Sequence, residues 1–537
     1  MALDRPTAQP EPDAAAGPSS GPARPEEAAD AERAVSYWLR GPLPDRRPPL
    51  RGAITADVAI VGAGFTGLWT ALHLTETDPS LRVVVLEQGI VGYGASGRNG
   101  GFVEASLTHG LANGLQHFPD EWRLLDEEGV RNLAELSAFI RREGIDCDLE
   151  ETGLLTIADQ PHQVDEFRDW AAFATAHGEP TEFLDRERAQ EEVRSPRVLA
   201  ALLEPPGRTA LVDPARLVRG LARVAEDRGV TIHEGTRVTG LERRAGAVRV
   251  RAVGVDGRGG EDADATAGGG TWPTALAGEG RDGRQAGGLL ARLRADGRQG
   301  GATAVSQVTA AHLVVATSAY SGWLRRLQPL FAPVYDYALV SDPLTPPQRA
   351  AIGWRGRQGL VDANNQFHYV RLTADDRILW GGYDAIHYRG DGVGPRFDRR
   401  PATFEKLERQ FRETFPQLAD VGFPYRWGGA IDTTSRFTAA IGTTMGGRVA
   451  YAIGYTGLGV GTSRWAAGLV RDLIMRPDSP LLRLRFVREA PFPFPPEPLR
   501  SLAIDLVRRE LDRADRNAGR RGLILRALDA VGIGFDS

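Results

Sequence analysis

Residues 57–88 read DVAIVGAGFTGLWTALHLTETDPSLRVVVLEQ, and this stretch restricts the fold more tightly than the rest of the chain. An apolar run at 58–61 enters a turn holding Gly62, Gly64 and Gly67, and Leu68, Ala71 and Leu72 follow at helical spacing. A second apolar run at 83–86 ends on Glu87, 20 residues beyond Gly67. The order strand, tight turn, helix, strand, acid is that of a dinucleotide-binding βαβ unit. The first glycine permits the turn, the second lets a pyrophosphate approach the backbone, and the third lets helix and strand pack closely. The phosphates would sit at the helix N-terminus, where unpaired N–H groups and the helix dipole favour negative charge. Glu87 is placed to accept hydrogen bonds from an adenosine ribose, and its carboxylate would repel a 2′-phosphate. The stretch alone leaves NAD and FAD both open.

A chain of 537 residues with 42% hydrophobic residues can form two or more units around a sizeable core. A net charge of −5 offers no basic footprint, so no nucleic-acid partner is expected. The single cysteine, Cys147, excludes internal disulfides and cysteine-cluster metal sites, and no metal centre is expected. It also fits a reducing compartment. Residues 1–35 are rich in Pro, Ala and acids without an apolar segment, which predicts a disordered leader and not a signal peptide. No apolar stretch approaches the ~20 residues of a membrane helix, so a cytoplasmic protein without a membrane partner is expected.

After the βαβ unit comes GYGASGRNGGFV (92–103), too glycine-rich for a helix or a central strand. Residues 118–204 alternate helical patterns with a short strand at GLLTIA. VDPARLVRGLARVAEDRG predicts a helix with Asp213 as N-cap, Pro214 in the first turn and Gly229 past its end. VTIHEGTRVTGLE and the alternating AVRVRAV predict strands. Residues 254–302 are hydrophilic and of low complexity, which predicts a flexible insertion at a hairpin tip. The strand HLVVATSAY then enters a small-residue turn at Thr317. QFHYVRLT, RILWGGYD and an amphipathic helix at 404–415 predict a second domain built on an antiparallel sheet. VAYAIGYTGLGVGTSRWAAGLVRDLI is again strand, glycine turn and helix, and the C-terminal extension (486–537) predicts a helix with Leu499, Leu502 and Leu506 on one face.

Four segments therefore return to one nucleotide fold. This discontinuous layout over residues 55–480 resembles the FAD-dependent D-amino-acid oxidase/glycine oxidase superfamily. YGASGRNGGF and SYWLRGPLPDRRPPLRGAITADVAIVG are most similar to the branch with γ-glutamylputrescine oxidase and aminophosphonate oxidoreductases. The resemblance implies an α/β protein in which a discontinuous Rossmann-like FAD-binding domain (55–110, 205–253, 303–330, 425–480) joins an α+β substrate domain with an antiparallel sheet (111–204, 331–424). It implies that Gly62, Ala63, Gly64, Phe65, Thr66 and Gly67 surround the FAD pyrophosphate, with Glu87 and Gln88 at the ribose. Ser96, Arg98, Asn99, Gly100 and Gly101 would pass along the phosphates and flavin ring, Val238 would meet the adenine, and Thr317 would contribute from its turn. Gly454, Tyr455, Thr456, Gly457 and Gly459 would lie beside the pyrimidine end of the flavin, where small residues let backbone N–H groups reach the ring carbonyls.

Three positions depart from the family pattern. Leu458 replaces a histidine, Gly461 stands where sarcosine-oxidase-like members grip a substrate carboxylate with lysine, and Trp380 aligns with a lysine that promotes reaction with oxygen. Covalent attachment is not expected, because SGRNGG holds no His or Cys and Cys147 lies elsewhere. The catalytic candidates are Arg371, His368 and Trp380, with Tyr369, Tyr383 and His387 as further pocket wall; Trp427 reads as packing. Arg371 could pair bidentately with a carboxylate or phosphonate. The resemblance implies oxidation of a C–N bond in a small amine or amino acid, with hydride passing to the flavin and the imine hydrolysing. Oxygen or another acceptor would take the electrons. The alternatives are a flavin dehydrogenase using a non-oxygen acceptor and a non-catalytic nucleotide-binding module, although a module would not need two open glycine loops.

Overall fold

The structure is a computed structural model that describes residues 35–41, 44–255 and 305–530. The predicted leader and the predicted insertion lie, but for their edge residues, outside the described residues, as does the Tyr383 side chain. The opening unit forms β1 (Ala53–Val61), α1 (Phe65–Thr77) and β2 (Val83–Leu86). Val58, Ile60, Val83 and Val85 enter a core shared with Leu68 and Leu72 of α1. Ala59, Val61, Val84 and Leu86 fill a second core on the opposite face. Burial on both faces is why these parallel strands read as unbroken apolar runs.

The first sheet runs Ala440–Thr444, Val449–Ile453, Val305–Val315, β1, β2, Thr231–His233. Its pairs are parallel except for the first. A hairpin of Thr236–Arg244 and Ala247–Gly254 joins Val305–Val315 antiparallel. Pro214–Asp227 and Gly459–Met475 pack with α1 over one face. Asp213 caps the first of these as predicted, accepting from the N–H groups of Ala215 (2.9 Å) and Arg216 (3.0 Å).

The second sheet runs Tyr425–Thr433, Ala332–Val340, Ile378–Ile386, His368–Leu372, Gly359–Asp362, Leu154–Ala158, Ala200–Glu204, Glu182–Leu184. Its neighbours are antiparallel except where Gly359–Asp362 meets Leu154–Ala158. The helix Pro401–Thr414 covers the outer face through Phe404, Leu407 and Phe411. The expected segment boundaries shift in two places. Tyr425–Thr433, assigned above to the nucleotide unit, belongs to the second sheet, because Gly428 leaves room for the Tyr337 ring of the neighbouring strand. The helix Trp122–Arg142, assigned above to the substrate unit, buries Leu133, Leu136 and Phe139 in the core beneath α1, with Phe139 edge-on to Trp69 at 4.8 Å.

The C-terminal helix Leu499–Arg516 is present, but Leu499, Leu502 and Leu506 are exposed. Polar contacts seat it instead: Arg500 pairs with Asp391 (2.5 Å), and Asp515 accepts from the Asn365 N–H (3.0 Å). Among the described residues no helix is long and apolar enough to cross a membrane.

Candidate functional site

The glycine turn is sterically enforced. Gly62 has φ +105°, and a Cβ there would lie 2.4 Å from the carbonyl oxygen of Ala316; one at Gly67 would lie 2.0 Å from that of Gly62. Gly64 ends the turn before α1, whose first N–H groups have no intrahelical partner. One of them, Phe65 N–H, donates to Ser96 Oγ at 2.9 Å. Glu87 accepts from Ala63 N–H (2.9 Å) and Gly89 N–H (2.8 Å), and burial raises its pKa.

From this turn a cavity of about 2080 Å³ runs between the two sheets. It exceeds the ~300–1,000 Å³ of an ordinary small-ligand pocket, leaving room for a dinucleotide and a substrate together. Gly62, Gly64, Phe65, Thr66, Glu87 and Gln88 line one end, with Val238 and Thr317. Ser96, Arg98, Asn99 and Gly100 continue the wall, and Tyr455, Thr456, Gly457 and Gly459 close it, with Leu458 among them. Ala63, Gly67, Gly101 and Gly454 are not on the wall; they shape the turns behind it. Gly101, at φ +80°, would place a Cβ 2.2 Å from the carbonyl oxygen of Val212.

Arg98 does more than line the loop. Its guanidinium is buried, pairs with Asp398 (2.6 Å), and donates to the carbonyls of Gly428 (3.0 Å) and Tyr93 (3.0 Å). Its Nη2 has no protein partner among the described residues, which leaves a buried donor on the cavity wall for a bound acceptor. Asn99 folds the loop, with its amide donating to Ala95 and Ser96 carbonyls and accepting from Gly101 N–H. Trp38, from the stretch before β1, donates to the Asn99 carbonyl (2.8 Å). The closing motif hangs on Asp432, which accepts from Gly454 N–H (2.5 Å) and which burial pushes up to about 6. Thr66 Oγ1 donates to Tyr455 Oη (2.8 Å), tying this motif to α1.

The three catalytic candidates do not reach the cavity. Arg371 is buried behind it, donating to the carbonyl of Val212 (2.7 Å), and burial lowers its pKa to about 10. His368 and Trp380 lie on the outer sheet face, their rings 4.7 Å apart under the helix Pro401–Thr414. Burial opposes charge on His368, but the Asp362 carboxylate at 2.6 Å outweighs it and the pKa rises. His387 is likewise off the wall; its Nδ1 meets the Pro333 carbonyl (2.8 Å). Its Nε2 faces Asp391 and Glu497, a set of ligand atoms within 4.8 Å of one another that could hold a metal ion, a grouping the sequence reading did not find.

Strand alternation explains the exchange: the cavity face carries Tyr369, Gly381, Ala338 and Trp427, paired across four strands. Tyr369 lies across Gly381, where a Cβ would meet its ring at 1.9 Å, and beside Gly100, where one would meet it at 2.7 Å. Its hydroxyl donates to Asp336 Oδ2 (2.5 Å), and Asp336 also accepts from Tyr337 N–H (2.8 Å). Tyr369 and Asp336 both line the cavity, and burial pushes the Asp336 carboxyl up to about 7. Asp336 is missing from the sequence reading, although a lone acid in the apolar run VYDYALV is a visible signal. Trp427 is both packing and wall, donating to the Arg98 carbonyl (2.9 Å).

A Rossmann-type sheet, its enforced glycine turn and a cavity continuing beneath a second antiparallel sheet define a two-part protein of the dinucleotide-binding class. A family model described as FAD dependent oxidoreductase matches residues 57–473, and the chain belongs to that family. It is similar to gamma-glutamylputrescine oxidoreductase of Escherichia coli, 28% identical over 436 residues, covering 79% of this chain and 85% of that protein. It is also similar to a probable oxidoreductase, OrdL, of Haemophilus influenzae, 24% identical, covering 84% of this chain and 90% of that protein. The solved glycine oxidase of Geobacillus kaustophilus shares the fold, with a TM-score of 0.58 at 19% identity, covering 79% of this chain and 95% of that one. The cofactor is therefore FAD, and the protein is an FAD-dependent oxidoreductase of the amine and amino-acid oxidase type acting on small molecules. The open glycine cradle, the orphaned Arg98 donor and the cavity's size fit that cofactor.

Proposed function

We propose that the protein oxidises the C–N bond of a small amine, with FAD held non-covalently. The observation that carries this reading is the Tyr369–Asp336 pair, which faces the cavity at the glycine loop Gly100. Bound FAD would supply the hydride acceptor for the carbon bearing a neutral amine, and the imine so released would hydrolyse to a carbonyl compound and an amine or ammonia. The chain's residues orient the amine, exclude water and remove its proton. Asp336, with a carboxyl near the operating pH, is the proton acceptor, and Tyr369 holds its orientation from above Gly381. Non-covalent binding is supported by Cys147, which is buried in the core and off the cavity wall, its thiol pushed up to about 12 by burial. The implied domain assignment follows the sheets: the first holds the dinucleotide and the second covers the substrate.

A second reading concerns the acceptor. Lys406, the chain's only lysine, lies on the helix over the outer sheet face and pairs with Asp384. No lysine is therefore available at the flavin to promote reaction with oxygen, which favours a different electron acceptor. Turnover assays with amines, monitoring carbonyl product alongside oxygen uptake and dye reduction, test both points. Carbonyl product with dye reduction and little oxygen uptake is expected. Rapid stoichiometric peroxide formation would overturn the second reading, and absence of carbonyl product with any amine would overturn the first.

A further inference from the structure

We infer that the cavity recognises a second, unreacted ammonium group on its substrate through Glu104 and Glu204, so that the substrate is an aliphatic diamine or polyamine; this rests on the amine-oxidising reading above. Glu104 ends the short strand Phe102–Glu104, just beyond the glycine loop, and its backbone lies against the start of the helix Gly459–Met475 at Gly461. Glu204 ends the strand Ala200–Glu204 of the second sheet, paired to Leu154. Both carboxylates line the cavity.

Neither side chain has a hydrogen-bond or ion-pair partner among the described residues. Arg208, the cation that acts on Glu204, is paired with Asp126 and with Glu179 (2.9 Å), and Glu179 itself adds negative charge. Glu104 has no opposing cation, and its charge disfavours ionisation of Glu204. Burial pushes each carboxyl up to about 7. Two enclosed, unpaired acids are costly to keep in a protein wall unless a ligand brings the counter-charge. The guanidiniums near the Tyr369–Asp336 pair do not offer the reverse charge: Arg98 is taken by Asp398, and Arg371 is turned onto main-chain carbonyls behind the wall.

The spacing separates binding from chemistry. The strands bearing Asp336 and Glu204 are five steps apart in the sheet, about 24 Å at the usual interstrand distance, with Tyr369 two steps in from Asp336 and joined to it through its hydroxyl. Between them the wall is mostly apolar, with Phe102 edge-on to Tyr369 at 6.0 Å and Leu154, Leu202 and Val361 beyond it, beside Thr156 and Asp362. A long aliphatic chain spans that stretch, with the reacting amine at Asp336 and a charged one at the two glutamates.

The test uses the FAD-loaded enzyme and aliphatic diamines, monoamines of the same chain length, and mono-acetylated diamines. Anaerobic flavin reduction gives an apparent Kd for each, and calorimetry gives binding independently of reduction. Diamines are expected to bind about tenfold or more tightly than the other two, the size of one charge-assisted contact. Glu104→Gln and Glu204→Gln should each cut the diamine-to-monoamine ratio by about tenfold; because the ratio is internal to each variant, loss of folded protein does not mimic the effect. Reduction by all three classes with equal Kd, unchanged in the Gln variants, would overturn the ammonium site and leave amine oxidation standing. Calorimetric diamine binding that depends on both glutamates, without flavin reduction, would support the site and overturn the oxidation reading.

Discussion

At Gly64 an added Cβ would stand 2.8 Å from Ser96 Oγ, at the end of α1 where the phosphates are proposed to sit. Gly64→Val is therefore expected to give folded protein without yellow cofactor, checked as the ratio of 450 nm to 280 nm absorbance alongside circular dichroism. As the proposed base, Asp336 is expected to govern the pH dependence. Its carboxyl is raised to about 7, so a reaction needing its anion accelerates as pH rises through about 7 and is flat above. Asp336→Asn should remove that limb and lower the reduction rate ~10²–10⁴-fold, the usual contribution of a positioned base. Stability runs the opposite way: the folded state keeps a proton that the unfolded chain releases, so this group stabilises fully below about pH 4 and its contribution is lost as pH rises through about 7. Urea midpoints of the two apoproteins should converge toward the acid end if the assignment holds. The glycines were legible in sequence because each answers to backbone geometry. Asp398 and Asp432 were not, because a carboxylate's role depends on what the fold brings against it; Asp336 showed only as a lone acid in an apolar run.

On the scale of elements, the loop after β2 is fastened to the second sheet through Arg98 and Asp398. Removing one partner of a buried pair leaves an uncompensated charge, so Asp398→Ala should cost about 3–5 kcal/mol and loosen the loop. A thermal melt of the holoprotein and its flavin release rate measure this, and an unchanged melt would show the pair to be dispensable. Strands and helices were largely readable, since period-2 and period-3.6 patterns survive translation into structure. Which face a strand turns inward was not: a shift of one residue exchanges the entire set. That is why Trp380 and His368 fell under the outer helix while Tyr369 took the wall, its ring lying over Gly381. Arg371 has the right parity, yet its guanidinium passes beneath the glycine loop to Val212.

Across the whole molecule, the nucleotide sheet is assembled from distant segments, and the sequence showed this through recurring glycine turns. It did not show that Tyr425–Thr433 crosses into the other sheet, because its alternating pattern suits either. The strands flanking residues 256–304 pair directly, Val253 with Val305. Joining them by a short turn in place of 256–300 should therefore leave flavin content and melting temperature unchanged, and an apoprotein would contradict this. In the proposed function the cavity between the sheets delivers amines to FAD. The most direct measurement of this is the visible spectrum of the purified protein on anaerobic mixing with a panel of amines. The band near 450 nm is expected to bleach with at least one amine, at a rate sharply reduced by Asp336→Asn. Persistent oxidised flavin with the whole panel, in protein fully loaded with FAD, would contradict it.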